Sequence, residues 1–311
     1  MSKEQFRGTS RGKESFRRTL RGEGNLSLRV HAKKHEDEIL NVAKTEVVTM
    51  APTTPILDAV QTMTKEGFRR IPITDAGTKE LRGIITATDI IDYFGGGKKF
   101  EMVRRRFEGN IFKAINEPVR IIMAKKVVSI SSTARISAAI DLMTNTKLGG
   151  MPVIDEHDHV RAIITERDIA VLFADMLSGV TVAQLMSENV VTALPKTTIF
   201  EAERTMITKG FRRLPIVSDG KLAGIITSMD VIRFFGSGEV FKELHSGAIM
   251  QVLNTPALNI ASRNVLTIEP EADVGQAAEI MREKRLGAIP VVKKGKLIGI
   301  ITERDFFKMI A

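Results

Sequence analysis

Apolar residues recur with the spacing of a short strand, a helix and two further strands. Residues 47–49 (Val-Val-Thr) predict a buried strand, because β-branched runs are typical of strand interiors. Four apolar residues then follow at the spacing of one helix face: Ile56, Ala59, Val60 and Met63. A proline-containing strand, a turn and a Gly-Ile-Ile-Thr strand that runs into another helix complete a β-α-β-β-α unit.

Fixed spacings indicate that this unit occurs four times. Aligned on Thr49, Ser129, Thr192 and Thr267, a Met follows 14 residues later in every copy, and a Pro stands nine residues beyond that Met. An aspartate comes 15 to 17 residues after each Pro: Asp89, Asp168, Asp230 and Asp305. Such coincident spacings predict a repeat architecture with one supersecondary unit per copy.

The four copies fall into two tandem pairs. Copies 1 and 3 share Gly-Phe-Arg-Arg-(Ile/Leu)-Pro, at residues 67–72 and 210–215. Copies 2 and 4 share Thr-Glu-Arg-Asp, at residues 165–168 and 302–305. This alternation indicates that copies 1 and 2 form one tandem pair and copies 3 and 4 form the other.

On these motifs the sequence resembles the CBS domain family. The resemblance implies an α/β (α+β) fold in which each pair packs as a module and two modules form a disc, similar to the gamma subunit of AMP-activated protein kinase. We expect a basic tail (1–40), copy 1 (41–96), a linker helix (97–117), copy 2 (118–175), copy 3 (176–237) and copy 4 with its linker (238–311).

A Thr-x-x-Asp motif lies where a strand turns into a helix in every copy: Thr86/Asp89, Thr165/Asp168, Thr227/Asp230 and Thr302/Asp305. One interpretation is a capping box, in which the acid at the third helical position bonds back to the Thr. The other is a ribose clamp, since a carboxylate accepts hydrogen bonds from two vicinal hydroxyls. The family resemblance assigns these aspartates to nucleotide ribose.

Arginines beside these motifs are candidates for phosphate binding. Arg70 and Arg213 precede the proline-containing strand, a position that faces nucleotide phosphates in similar proteins, whereas strand alternation points Arg69 and Arg212 the other way. For each of these arginines an ordinary solvated side chain is the alternative.

Two further arginines and two threonines complete the candidate nucleotide sites. Arg167 and Arg304 lie near a helix N-terminus, where an anion is favoured. Adenine is expected near Thr49, Thr192 and their flanking valines. Because copies 2 and 4 carry Gly150 and Ala288 in place of the strand arginine, the sites are expected to bind AMP, ADP or ATP unequally.

Most of the net charge of +9 lies at the N-terminus. Residues 1–34 hold ten Lys or Arg against three acids, in a tandem decapeptide of the form K-E-x-F-R-x-T-x-R-G, while the other 277 residues hold 36 basic and 34 acidic groups. Guanidinium groups pair with phosphates and phenylalanines stack on bases, which favours RNA binding. The candidate RNA-binding residues are Phe6, Arg7, Arg11, Lys13, Phe16, Arg17, Arg18, Arg21, Arg29, Lys33 and Lys34.

Alternatives for the basic segments stay open. The tail could serve solubility alone, or act as a transit peptide, although interleaved acids disfavour the latter. A basic linker at residues 98–106 is either an exposed helix face or an extension of the RNA surface.

Several classes of function are disfavoured by the sequence. There is no cysteine, no uncharged run long and apolar enough to span a membrane, and no recognised catalytic motif. We expect the pair His157 and His159 to lie in a solvated turn, and a metal site is the less favoured alternative. We therefore expect a cytoplasmic, non-catalytic regulatory protein that binds adenine nucleotide and docks through its tail on RNA, with the ribosome as the leading candidate. The alternative is an AMP/ATP sensor for a protein partner such as a kinase; a homodimer is left open.

Overall fold

A computed structural model describes residues 38–173, 179–238, 240–241, 244 and 247–310. All of the candidate RNA-binding residues, from Phe6 to Lys34, lie outside the described residues. Among the helices of the described part, none is long and apolar enough to cross a membrane.

Each copy is built around one antiparallel hairpin. The strands are β1 (Arg70–Thr74), β2 (Leu81–Thr86), β3 (Ile130–Ser131), β4 (Gly150–Ile154), β5 (Val160–Thr165), β6 (Arg213–Ser218), β7 (Lys221–Thr227), β8 (Ala288–Lys293) and β9 (Lys296–Thr302). Strands β1 and β2, β4 and β5, β6 and β7, and β8 and β9 pair antiparallel, and β3 adds to β4 in parallel.

Two main helices flank each hairpin, and shorter helices connect the copies. The α-helices are α1 (Ile56–Glu66), α2 (Ala87–Ile91), α3 (Phe100–Arg106), α4 (Ile111–Ile115), α5 (Ile136–Thr146), α6 (Glu166–Phe173), α7 (Val182–Leu185), α8 (Ile199–Lys209), α9 (Ser228–Gly236), α10 (Ile249–Leu253), α11 (Val274–Glu283) and α12 (Glu303–Ile310). A π-helical turn, Asp92–Gly96, continues α2. The predicted linker helix at residues 97–117 is thus two short helices, α3 and α4.

The first helix of copies 1 and 3 ends at the glycine of the Gly-Phe-Arg-Arg motif. Gly67 and Gly210 adopt φ of 70° and 69°, the left-handed conformation that commonly terminates a helix. The chain then turns at once into β1 or β6, so the arginines arrive at the start of a strand. The buried face of α1 is Ile56, Ala59, Val60 and Met63, as the sequence spacing predicts.

The first predicted strand of the unit is not a buried strand. In copy 1 the extended segment makes a single parallel bridge, between Met50 and Ile73, and Val48 is 39% exposed. Copy 3 has the same single bridge, between Ala193 and Ile216. The β-branched run comes just before this bridge and does not pair further with the hairpin. Its valines line a cavity.

The segments that lead into each copy are exchanged within a pair. We call residues 38–50, 118–129, 181–193 and 256–268 the lead-in segments. They pair with the hairpin of the other copy through the bridges Lys44–Ile163, Ala124–Ile84, Ser187–Ile300 and Ser262–Ile225. Ile39, inside the predicted tail of residues 1–40, is fully buried in the apolar cluster of copy 2. The two copies of a pair therefore form one module.

The two modules contact each other at two places. Copies 1 and 3 share one apolar cluster, which includes Tyr93, Phe94 and Phe235. Copies 2 and 4 keep separate clusters, although Phe307 of copy 4 packs into the cluster of copy 2, and Ala170 packs into that of copy 4.

Candidate functional site

Four cavities lie where a Thr-x-x-Asp motif faces the lead-in segment of the other copy in its pair. Thr302 and Asp305 face Val190 and Val191 across a cavity of about 690 Å³. This volume lies within the usual range of small-molecule sites. The valines that flank Thr192 line this cavity, whereas Thr192 itself does not.

The other three cavities follow the same plan with different volumes. Asp230 and Asp168 line one cavity of about 1070 Å³, and Thr86 faces residues 126–128 across about 330 Å³. Thr165 faces Val47 and Val48 across about 110 Å³. Neither Thr49 nor Asp89 lines any of the four cavities.

Every aspartate of the motif caps its helix with one carboxylate oxygen. In copy 1 the backbone N–H and hydroxyl of Thr86 donate to Asp89 Oδ2 at 2.9 and 2.6 Å. The corresponding distances are 2.9 and 2.6 Å in copy 2, 2.7 and 2.7 Å in copy 3, and 2.8 and 2.8 Å in copy 4. The capping box is complete in copies 1 and 3, and copies 2 and 4 have its Thr-to-Asp bonds. These bonds use Oδ2 and leave the other oxygen, Oδ1, for a second role.

The partner of Oδ1 differs among the copies. Lys99 and Lys308 donate to Asp89 and Asp305 at 2.5 Å, and Arg233 donates to Asp230. Among the described residues, Asp168 has only its Thr165 donors. Burial raises the pKa of the Asp168 carboxyl above its ordinary value, against the opposing effects of Thr165 and of nearby Lys44.

Four arginines of the two Gly-Phe-Arg-Arg motifs meet at the centre of the molecule. Burial lowers the pKa of Arg70 to about 10 and that of Arg213 to about 9, and repulsion by neighbouring guanidinium groups adds to both effects. Arg69 and Arg212 belong to the same cluster: burial lowers the pKa of Arg69, and the charge of Arg212 lowers it further. The expectation that these two point away is wrong, because strand β1 begins only at Arg70, so strand alternation does not govern the residue before it.

Glycines of copies 2 and 4 make room for these arginines. A Cβ on Gly150 would overlap the guanidinium of Arg70, and one on Gly149 would overlap that of Arg212. Arg213 donates to the carbonyl of Gly287 at 2.9 Å. Where copies 1 and 3 have their two arginines, copy 2 has Gly149 and Gly150 and copy 4 has Gly287 and Ala288, and these small residues leave room for the arginines at the centre.

Arg167 and Arg304 are engaged in reciprocal ion pairs between copies 2 and 4. Arg167 Nε lies 2.8 Å from Glu303 Oε1, and Arg304 Nε lies 2.6 Å from Glu166 Oε1. Both carboxylates are buried. The glutamates were missed in the sequence analysis, although their place in Thr-Glu-Arg-Asp, between two candidate site residues, was a usable signal.

The remaining candidates lie away from these cavities. Within the basic linker, Arg104 and Arg105 pair with Glu101, and Arg106 pairs with Glu117. His159 contacts Asp155 at the β4–β5 turn. No group of three or more His, Asp or Glu side chains that could hold a metal occurs in the described ranges.

Comparison with known proteins agrees with this architecture. The sequence matches the CBS domain over residues 38–96, 119–175, 182–237 and 257–311. Protein MJ1225 of Methanocaldococcus jannaschii is 37% identical over 276 residues, which cover 88% of this chain and 99% of that protein. Its crystal structure, described as that of a proposed archaeal homologue of the gamma subunit of AMP-activated protein kinase, is similar with a TM-score of 0.85. At 36% identity the match covers 88% of this chain and 100% of that one.

Two more relatives cover most of the chain. A 33.4 kDa protein in the ribosomal RNA operon of Thermofilum pendens is 32% identical over 250 residues, covering 80% of this chain and 83% of its own. A conserved protein of Pyrococcus horikoshii has the same fold, with a TM-score of 0.57 at 19% identity over 88% of this chain and 99% of that one. The chain therefore belongs to the CBS domain family, with four CBS units in two pairs.

Proposed function

We propose that this protein is a non-catalytic, regulatory binder of adenine nucleotides. The observation that carries the proposal is the central charge. Six guanidinium groups converge there around the buried carboxylates of Glu166 and Glu303, with Asp168 also acting on Arg70, and the aspartate clamps lie around them. Buried positive charge in excess favours an anionic ligand, because a phosphate would offset both desolvation and repulsion.

Each part of a nucleotide has a matching group in this proposal. Arg70 and Arg213 bind phosphate, and the Oδ1 atoms of the motif aspartates accept from ribose hydroxyls. The valines beside Thr49 and Thr192 contact adenine. The bound nucleotide, AMP, ADP or ATP, tightens the contact between copies and so shifts the population of module arrangements.

Isothermal titration calorimetry with AMP, ATP and adenosine tests this proposal. Replacing Arg70 and Arg213 together by Gln should weaken AMP binding at least tenfold, since each removes a charge-assisted hydrogen bond. Arg82→Gln is the matched control, because Arg82 is half-exposed on a hairpin and pairs with Glu80. Equal affinity in all three proteins would contradict the assignment of phosphate to the centre.

A second proposal is that the tail docks the protein on RNA, with the ribosome in a dormant state as the candidate partner in the cytoplasm. The basic tandem decapeptide supports it, and the Thermofilum pendens relative in a ribosomal RNA operon is consistent with it. Co-sedimentation of the full chain and of a Δ1–34 variant with ribosomes, at low and high salt, is the test. Pelleting that is lost with the tail or with salt is expected, whereas equal pelleting of both forms would contradict a role for the tail.

If neither form pellets with ribosomes, the protein acts on a protein partner. The similarity to MJ1225, described as a proposed AMP-activated protein kinase gamma homologue, favours an enzyme such as a kinase as that partner. Affinity capture with and without AMP distinguishes this case, because a regulated partner should change its occupancy with the nucleotide.

A further inference from the structure

A lysine ammonium occupies the same place at two of the four aspartate clamps. Lys99 Nζ lies 2.5 Å from Asp89 Oδ1 and 2.8 Å from the carbonyl oxygen of Ile122. Lys308 Nζ lies 2.5 Å from Asp305 Oδ1 and 3.1 Å from the carbonyl oxygen of Leu185. Each ammonium thus bridges the aspartate of one copy and the lead-in segment of its partner copy.

The two carbonyls are equivalent positions of the repeat. Ile122 comes two residues before the bridge between Ala124 and Ile84, and Leu185 comes two residues before the bridge between Ser187 and Ile300. The lysines, however, come from different places in the chain.

Lys99 follows its aspartate by ten residues and lies at the start of the linker, whereas Lys308 follows its aspartate by three residues within α12. Two unrelated chain positions delivering an ammonium to one location indicate that the location itself favours a cation.

An ammonium at this position removes the capacity to clamp a ribose. A carboxylate offers about four lone-pair sites. Two of them, on Oδ2, already accept from the Thr backbone and hydroxyl. With the ammonium on Oδ1, about one site remains, and two vicinal hydroxyls need two.

In the described part of the chain, the clamp of copy 2 lacks such a lysine. The residue three positions after Asp168 is Val171, which lines the same cavity, and within the described ranges no cation is hydrogen-bonded to Asp168 Oδ1. Lys44 is near enough to act on Asp168 electrostatically but makes no hydrogen bond to it in the described part of the chain. Oδ1 of Asp168 therefore keeps both of its lone-pair sites.

The clamp of copy 3 is intermediate. Arg233 donates to Asp230 from one helical turn away, but its side chain is 53% exposed and, among the described residues, makes no second bond to a lead-in segment. An exposed pair of this kind contributes little free energy, so a ligand displaces it at small cost.

We infer that Lys99 and Lys308 are internal ligands that close the clamps of Asp89 and Asp305, and that Asp168 is the primary site for the ribose diol. The inference rests on the proposed nucleotide-binding function and adds an order to it. The site at Asp168 binds nucleotide most tightly, and the site at Asp230 binds it more weakly. The sites at Asp89 and Asp305 bind nucleotide only when their lysine is displaced.

Calorimetric titration of the full chain with AMP tests this order through stoichiometry. The wild-type protein should bind one AMP tightly and a second more weakly. Lys308→Met, which keeps an unbranched side chain one atom shorter and removes its charge, should add one site, and Lys99→Met with Lys308→Met should add two. Lys65→Met is the matched control, because Lys65 is highly exposed on α1, and it should leave the stoichiometry unchanged.

A second pair of variants keeps the test valid if the lysine variants fold poorly. In an otherwise wild-type chain, Asp168→Asn should weaken the tight site at least tenfold, and 2′-deoxy-AMP should show a similar loss on the wild-type protein. Asp141→Asn, on the exposed face of α5 in the same copy, is the control.

The outcomes separate the two proposals. Three or more tight sites in the wild-type chain, or tight binding that survives Asp168→Asn, would overturn the inferred order of sites. Either result would leave the proposed nucleotide binding intact. Absence of AMP binding in every variant would overturn the proposed function together with the inferred role of the two lysines.

Discussion

The two contacts between the modules are built from opposite chemistry. Copies 1 and 3 meet through a continuous apolar cluster. In it the ring centroids of Phe94 and Phe235 are 4.5 Å apart, and both residues are fully buried. Copies 2 and 4 meet beside the reciprocal ion pairs of Arg167 with Glu303 and of Arg304 with Glu166. The first contact is mainly apolar and non-directional, with Glu203 as the buried acid within it, whereas the second depends on ion pairs.

The ionic contact is also the one joined to the candidate sites. Glu166 and Glu303 are two residues before Asp168 and Asp305 on the same first helical turns. A nucleotide phosphate arriving at the centre would compete for the same guanidinium groups. We therefore expect the contact between copies 1 and 3 to stay unchanged when nucleotide binds, and the contact between copies 2 and 4 to rearrange.

The largest effect should come from breaking the apolar contact. Phe94→Ala should lower the free energy of unfolding by about 3–5 kcal/mol, because it leaves a cavity in a cluster shared by both modules. Chemical denaturation followed by circular dichroism measures this loss. The control is Phe112→Ala, at a ring that is 41% exposed, where a loss of similar size would contradict the distinction between the two sites.

Breaking one ion pair should cost less. Arg167→Met should destabilise the protein by about 3 kcal/mol, since it leaves the buried carboxylate of Glu303 without its closest partner. This is the lower end for a buried pair, because the Arg167 side chain is partly exposed. The double variant Arg167→Met with Glu303→Met should recover most of that loss. A double variant as unstable as the single one would mean that the contact is held by packing and not by charge.

Removing a central arginine should stabilise the ligand-free protein. At pH 7.5, Arg213→Met is expected to raise the free energy of unfolding by about 1–2 kcal/mol, because its buried charge lacks a carboxylate of its own. The folded pKa of about 9 lies below the unfolded value, so the wild type should gain stability as the pH rises above 9.

Thermal melting with and without AMP measures both effects. The advantage of Arg213→Met should disappear at saturating AMP, which offsets the charge only in the wild type. Arg82→Met is the exposed control and should shift the midpoint little.

A pH-dependent effect is expected from a buried acid in the apolar contact. Glu203 is fully buried with no hydrogen-bond partner for its carboxyl within the described part of the chain, and burial raises its pKa well above the ordinary range. The unfolded carboxyl ionises at lower pH than the folded one, so stability should fall as the pH rises above about 5, by at most ~1.4 kcal/mol per pH unit.

Glu203→Gln should flatten this pH dependence, as denaturation curves at pH 5, 6, 7 and 8 would reveal. Glu283→Gln, at an exposed position of α11, is the control. An unchanged slope in Glu203→Gln would assign the pH dependence to other groups.

The sequence was sufficient for the architecture because the fold repeats. Three spacings that recur in all four copies specified the units, and the Thr-x-x-Asp motifs lie at strand-to-helix turns as predicted. The function of these motifs in binding remains a prediction. Glu203 was detectable in principle, since the equivalent helix positions in the other copies are Val60, Ile140 and Ala278.

What the sequence could not provide is the relation between copies. The convergence of Arg69 and Arg212 on the centre, and the pairing of Arg167 with Glu303, join residues that no spacing connects. The position of Lys99 likewise depends on how the linker returns to Asp89. Local patterns predict elements, whereas contacts between elements far apart in the chain depend on packing.

The exchanged lead-in segments have a consequence for how the protein is made. Lys44 pairs with Ile163, and Ala124 pairs with Ile84, so neither copy of the first module has all of its partners until both have been synthesised. A nascent chain that emerges from its N-terminus first must therefore leave Lys44 unpaired until Ile163 is synthesised, more than a hundred residues later. The smallest segment that can complete its own pairing during translation is a pair, and genetic truncation within a pair would leave an unpaired hairpin edge.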